Sequence, residues 1–187
     1  MLKQNIQAKL FTYDDYLLLA DDKRYEILNG TLEEMSPAPL FFHQIISVRL
    51  TGLLSSYLDA NNKGILAHAP VDVVFDNNNL CQPDLIVILN ENKKIITEKN
   101  IQGAPDLVVE ILSPSTFAKD IEIKKRIYER FKVKEYWILD PANKVFEIFA
   151  LENDFFELKD IKDGSGKVNS ILFNNLELDL EHIFKPV

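Results

Sequence analysis

The sequence predicts a mixed α/β domain on three observations. The first third holds a turn dipeptide between two short mixed runs, then a long amphipathic stretch. The middle holds two short, nearly all-apolar runs, the pattern of sheet strands buried on both faces. One helical stretch follows, and then further strand-like runs.

The elements follow in order. Thr12 can cap a helix, with Asp15 three positions on as its capping-box partner, and Tyr16, Leu17, Leu19 and Ala20 continue it. Asp21-Asp22 ends it. Tyr25–Leu28 and Leu32–Met35 flank Asn29-Gly30, which predicts a tight hairpin. Pro37 and Pro39 then break the chain. From Phe42 to Ala60, Ile45, Ile46, Leu50, Leu53, Leu54, Tyr57 and Leu58 recur at helical spacing, and Asn61–Gly64 supplies the stop. Ile65–Phe75 alternates weakly, while Leu85–Leu89 and Leu107–Leu112 read as central strands. Polar turns fall at Asp76–Asn79 and Asn90–Lys94. Phe117–Lys132 reads as a helix, with Ile123, Ile127 and Phe131 on one face. Tyr136–Leu139 and Val145–Leu151 are strands joined by the turn Asp140–Asn143, and Phe155–Leu158 is another. Beyond Gly164 the pattern is ambiguous.

At 187 residues the chain fits one domain spanning 1–187. It is long enough to bury a core without disulfides or structural metal. Its single cysteine, Cys81, cannot pair internally, which points to a reducing, cytoplasmic home. No apolar run reaches the roughly 18 residues that span a bilayer, and Met1–Lys9 lacks the apolar stretch of a signal peptide. The net charge of −8 excludes a wholesale basic coat, though not a local basic groove. There is no Gly-rich phosphate loop, Gly-x-Ser-x-Gly, His-Glu-x-x-His or Cys-x-x-Cys.

The chemistry-bearing candidates are charges where charge is costly. Glu110 lies inside the apolar run Leu107–Leu112, and Asp84 opens the run Leu85–Leu89. An unpaired buried carboxylate costs several kcal/mol, so something must compensate. A divalent metal shared by two such carboxylates would do so; so would a buried salt bridge, or exposure of Glu110 at a strand end. After Ser113-Pro114-Ser115-Thr116, Asp120, Lys124 and Tyr128 share one helix face. That face could aim Lys124 back at Glu110, or be an ordinary solvated face with an Asp–Lys pair. Glu26 alone reads as a surface acid, and His43 as a helix-opening residue in contact with solvent. His68 and His182 have no partner at metal spacing. Cys81 reads as a small buried residue.

Pro83-Asp84, then Glu110 26 residues later, then Lys124 resembles the PD-(D/E)XK nuclease superfamily. That superfamily places the lysine two residues after the Glu, where this chain has Leu112. The string Pro105–Thr116, with Asp120, Lys124 and Tyr128, is similar to the Uma-two family of restriction-endonuclease-like proteins. So are Glu135–Pro141, Tyr25-Glu26 with Asn29-Gly30, and His43. The resemblance covers about residues 11–158 and leaves 159–187 as a C-terminal extension. Where the family has Gly-Val before Glu135, this chain has Lys132-Val133.

The resemblance implies a restriction-endonuclease-like core, a mixed sheet of four to five strands flanked by helices. It implies a DNA endonuclease using Mg²⁺ or Mn²⁺, with Asp84, Glu110 and Lys124 catalytic. The metal would be held by Asp84, Glu110 and the Ile111 main-chain carbonyl, with Glu26 as a further acid. His43, Asp120 and Tyr128 would be accessory, and Lys124 would replace the missing strand lysine. Lys119, Lys125 and Arg126, within a wider basic cluster of Arg130, Lys132 and Lys134, would contact DNA. A homodimer is expected, because Tyr136-Trp137 and the Phe42–Leu58 helix look too apolar for one small sheet. Two other readings stay open: a non-catalytic homodimeric interaction module of the same fold, and a metal-dependent hydrolase of a small phosphorylated substrate.

Overall fold

In the computed structural model, residues 9–20, 23–35, 40–114 and 117–186 are described. The expectations placed on Asp21-Asp22, Pro37, Pro39, Ser115-Thr116 and most of the N-terminal segment lie outside them.

Helix α1 spans Tyr13–Tyr16, shorter than the predicted run to Ala20. Its capping box is formed: the Thr12 hydroxyl accepts from the Asp15 N–H at 3.2 Å, and the Asp15 carboxylate accepts from the Thr12 N–H at 3.0 Å. Strands β1 (Tyr25–Leu28) and β2 (Thr31–Glu34) form the predicted hairpin. Asn29 and Gly30 both take positive φ, 52° and 78°, as a two-residue turn matched to strand twist requires.

Helix α2 runs from Phe41 to Asn61 and buries Ile46, Leu50, Leu54 and Leu58, four residues apart. Each such side chain contributes roughly 1.5–3 kcal/mol of burial. Asn62, within the predicted stop, ends the helix in the left-handed conformation at φ 46°. Gly64 opens β3 (Gly64–His68), where a Cβ would collide with the Ile88 carbonyl of the neighbouring strand. The weakly alternating stretch that follows is two strands in different sheets. The chain leaves the β3 sheet after His68 and enters the other at β4 (Val73–Asp76).

The smaller sheet has five strands in the order β2-β1-β5-β4-β7, where β5 is Asn79–Cys81 and β7 is Ile101–Gln102. The larger has six, in the order β11-β10-β9-β8-β6-β3. There β6 is Leu85–Leu89, β8 Leu107–Ile111, β9 Glu135–Asp140, β10 Val145–Glu152 and β11 Phe155–Asp163. Strands β6 and β8 are buried at every position, which explains their lack of alternation. The fold is therefore mixed α/β as predicted, but among the described residues it has sheets of five, six and two strands where one of four to five strands was expected.

The larger sheet has a core on each face. On one, α2 packs on Leu85, Val87, Leu107, Val109 and Trp137. On the other, Ile86, Ile88, Val108, Tyr136 and Tyr128 meet the smaller sheet through Leu28, Val73 and Cys81. Tyr136 and Trp137 are fully buried within these cores, so they offer no surface to a second subunit.

The last residues are built into the fold. Strands β12 (Lys167–Asn169) and β13 (Glu177–Asp179) with helix α4 (Leu180–Ile183) bury Val168, Leu178, Leu180 and Ile183 in the α2 core. Buried Glu135 anchors this segment, accepting from Trp137 Nε1 at 2.7 Å, Ser170 Oγ at 3.0 Å and the Leu172 N–H at 2.6 Å. Among the described residues no helix is long and apolar enough to cross a membrane.

Candidate active site

Strands β6 and β8 run antiparallel with Leu85 opposite Val109, so Asp84, just before β6, stands level with Glu110 on β8. The main chain ties them together: the Ile111 N–H donates to Asp84 Oδ2 at 2.8 Å. His43, in the first turn of α2, places Nε2 3.2 Å from the same oxygen. It is only 8 % exposed, so the solvent contact expected of it is replaced by this one. Burial pushes the imidazole pKa down, but Asp84 and the Ile111 main chain outweigh burial and raise it. His43 Nδ1 is buried without a hydrogen-bond partner among the described residues.

The helix after β8 does not take the solvated form. Lys119–Lys124 is a π-helical turn that runs into α3 (Lys125–Arg130), where a continuous α-helix was expected. The Tyr136 hydroxyl donates to the Asp120 carbonyl at 3.1 Å, so a side chain enters the helix ladder at the widened turn. Asp120, Lys124 and Tyr128 all face inward and are at most 3 % exposed. Lys124 Nζ lies 2.9 Å from Glu26, 3.1 Å from Glu110 and 3.3 Å from Asp120. The Tyr128 hydroxyl donates to Glu110 Oε1 at 2.6 Å. Glu26, which looks like a surface acid on its own, is 4 % exposed and also accepts the Gln82 N–H at 2.9 Å.

The electrostatics follow from burial. Lys124 is penalised by desolvation, but Glu110, Glu26 and Asp120 outweigh that and hold its pKa well above the usual lysine range. Burial raises Glu110 well above the usual carboxylate range; Lys124 pulls it down, while Asp120, Asp84 and Glu26 push it further up. Burial also raises the Tyr128 phenol, with Glu110 adding to it, so Tyr128 remains a donor. The compensation for Glu110 within the chain is thus a buried ion-pair network. Asp84 is its most open member, with 22 % of its side chain exposed.

The donors suit a hard cation in type: two carboxylates at one level and the main chain of Ile111 between them. Among the described residues no group of three or more His, Cys, Asp or Glu side chains stands at metal-binding distance. A bound ion would therefore use Asp84, Glu110, the Ile111 carbonyl and water.

The basic residues nominated for DNA are mostly engaged. Lys119 pairs with Glu33 at 2.8 Å, Lys132 with Asp154 at 2.8 Å, and Lys134 with Asp106 at 2.7 Å. Lys125 lies 3.3 Å from the centroid of the Phe149 ring, and Arg130 4.9 Å from that of Phe131. Arg126 is exposed. The sequence reading missed Gln82, whose N–H holds Glu26, because main-chain donors have no sequence pattern. It also did not foresee buried Asp106, which accepts the Leu89 N–H at 2.8 Å and pins a strand end away from the site.

A family model described as "Putative restriction endonuclease" (Uma2) matches residues 13–181. A crystal structure titled as a "putative nuclease belonging to DUF820" from Anabaena variabilis ATCC 29413 superposes with a TM-score of 0.77 at 19 % identity. The match covers 93 % of this chain and 97 % of that one, and at that identity it bears on the fold. No curated protein gives a significant match.

Proposed function

Because this chain belongs to the Uma2 family of restriction-endonuclease-like proteins, we propose that it is a nuclease, specifically a Mg²⁺- or Mn²⁺-dependent endonuclease that hydrolyses DNA phosphodiester bonds at Asp84, Glu110 and Lys124. The observation that carries this reading is the buried ammonium of Lys124, brought by the helix after β8 to 3.1 Å from Glu110, with Asp84 level with Glu110 on the adjoining chain. A divalent ion bound there supplies charge to the phosphate and acidity to a water.

The chain's own groups do the rest. Three carboxylates keep Lys124 protonated, so it serves as a fixed positive charge toward a developing oxyanion and not as a base. Tyr128 fixes the Glu110 carboxylate by its 2.6 Å bond. Glu26 and Asp120 are positioning residues that hold Nζ in place, and His43 with the Ile111 N–H orients Asp84. Arg126, exposed to solvent, is the nominated basic residue left to meet a backbone phosphate. The ion pairing of Lys119, Lys132 and Lys134 favours a second reading, a hydrolase of small phosphorylated substrates, which need few phosphate contacts.

Incubating supercoiled plasmid with the chain and Mg²⁺ or Mn²⁺ should give nicked or linear product, and Glu110→Ala should give none. Equal activity from Glu110→Ala, or turnover only of small phosphoesters, overturns the DNA reading. Cutting two strands also argues for two sites, hence a symmetric homodimer acting in the cytoplasm. Light scattering at micromolar concentration should return twice the 21.5 kDa chain mass; a strict monomer mass would remove the dimer from the proposal.

A further inference from the structure

A second concave site lies at the same rim of the smaller sheet as Glu26, on its opposite face. The register that sets Ile27 against Leu80 places Tyr25 beside Gln82. Pairing of Val73 with Cys81 and with Ile101 places Asp72 beside Gln82 and Asn100. Tyr25, Gln82, Asp72 and Asn100 thus form one row across four strands, and the next row inward carries Glu26. Helix α1 covers the row, leaving a cavity of about 260 Å³ lined by Tyr13, Tyr16, Tyr25, Asp72, Asn100 and Lys99, among others.

The lining is specific in its chemistry. Tyr13 and Tyr16 stack with centroids 6.1 Å apart and planes 18° apart, and Tyr25 adds a third ring. The Tyr16 hydroxyl donates to Asp72 Oδ2 at 3.1 Å, and Gln82 Nε2 to Asp72 Oδ1 at 2.8 Å. The Asn100 side chain is committed to Tyr13 and Thr97. Gln82, 6 % exposed, does not line the cavity itself but holds Asp72 in place from beside it. Flat aromatic surface beside the Asp72 carboxylate, with the exposed cation of Lys99 at the margin, suits a planar ring that carries an amino group, attached to a phosphate.

We propose that this cavity binds one nucleotide through its base, stacked on the tyrosines, and prefers a base with an exocyclic amine over thymine. The source of that nucleotide rests on the nuclease reading: a base turned out of the substrate strand near the cleavage site. The Asp72–Gln82–Glu26 bonds connect the cavity to the Lys124 cluster, so an occupied cavity sets the register of the strand against the catalytic carboxylates.

The test uses the full chain carrying Glu110→Gln, to prevent cleavage. The probes are a single-stranded oligonucleotide with one 2-aminopurine, its thymine counterpart read by competition, and 2-aminopurine riboside monophosphate alone. Stacking should quench the 2-aminopurine fluorescence on binding. Tyr25→Leu should weaken binding about fivefold or more and Tyr25→Phe should restore it, given the energy of one base–aromatic stack. The thymine oligonucleotide should compete less well. Binding of the monophosphate without the oligonucleotide assigns the cavity to free nucleotides; binding of both assigns it to the strand. No quenching, or equal affinity for Tyr25→Leu with an unchanged melting midpoint, overturns the proposal. A wild-type chain that cuts plasmid but shows no quenching keeps the nuclease reading and loses the cavity; one that binds the probes but cuts nothing does the reverse.

Discussion

Replacing Lys124 with methionine is expected to remove about 3–5 kcal/mol of folding stability at neutral pH, the usual consequence of breaking a buried ion pair on one side. Methionine fills similar volume, so the loss is electrostatic. Glu26, Glu110 and Asp120 all point at the missing ammonium, and each is at most 4 % exposed. Without it Glu110, already raised by burial, loses the charge that pulls its pKa down and rises further. A carboxyl raised in the folded state contributes stability at low pH and loses it as pH rises through the folded value. The deficit of the variant should therefore shrink on acidification toward pH 4–5. In the wild type Lys124 is itself raised, so its contribution is complete below its unfolded pKa and is lost only in strongly alkaline solution. Urea denaturation across pH measures both. A variant as stable as wild type at pH 7 would show that water, and not Lys124, compensates these carboxylates.

Glu110→Gln is expected to act in the other direction on the metal-free chain and to remove its response to metal. Four carboxylates, Asp84, Glu26, Glu110 and Asp120, share one lysine and one histidine, and burial already opposes ionisation of Glu110. The amide keeps the shape, relieves one charge of repulsion and leaves Lys124 two partners, so the metal-free variant should match or slightly exceed wild type. Mg²⁺ or Mn²⁺ at a hundredfold excess over Kd should stabilise the wild type by about 2.7 kcal/mol through preferential binding to the folded state. The variant should show none of this shift. A thermal melt with and without metal decides. An unchanged wild-type midpoint, together with a destabilised Glu110→Gln, would make Glu110 a structural ion-pair partner and deprive the nuclease proposal of its metal.

The sequence by itself determined the local elements. Asn29-Gly30 set the hairpin, because only residues at ease with positive φ close a two-residue turn. The spacing of Ile46, Leu50, Leu54 and Leu58 set α2, and the unbroken apolar runs set β6 and β8. The cost of Glu110 within such a run also marked the site before any fold was known, since a charge there demands a partner wherever the chain leads.

Tertiary structure decided which partner. Helical spacing brings Asp120, Lys124 and Tyr128 to one face, but only packing against β8 and the smaller sheet turns that face inward and closes it around Glu110. The partition of residues 65–76 between two sheets, and the row of Tyr25, Gln82, Asp72 and Asn100, arise from pairings between strands distant in sequence. Tyr136-Trp137 looked like surplus apolar surface only because the sequence does not show the second sheet and the C-terminal segment that cover it. Local pattern reports which face of an element is apolar. What that face meets, and so whether a charge on it is solvated, paired or poised for chemistry, depends on long-range contacts that no local period encodes.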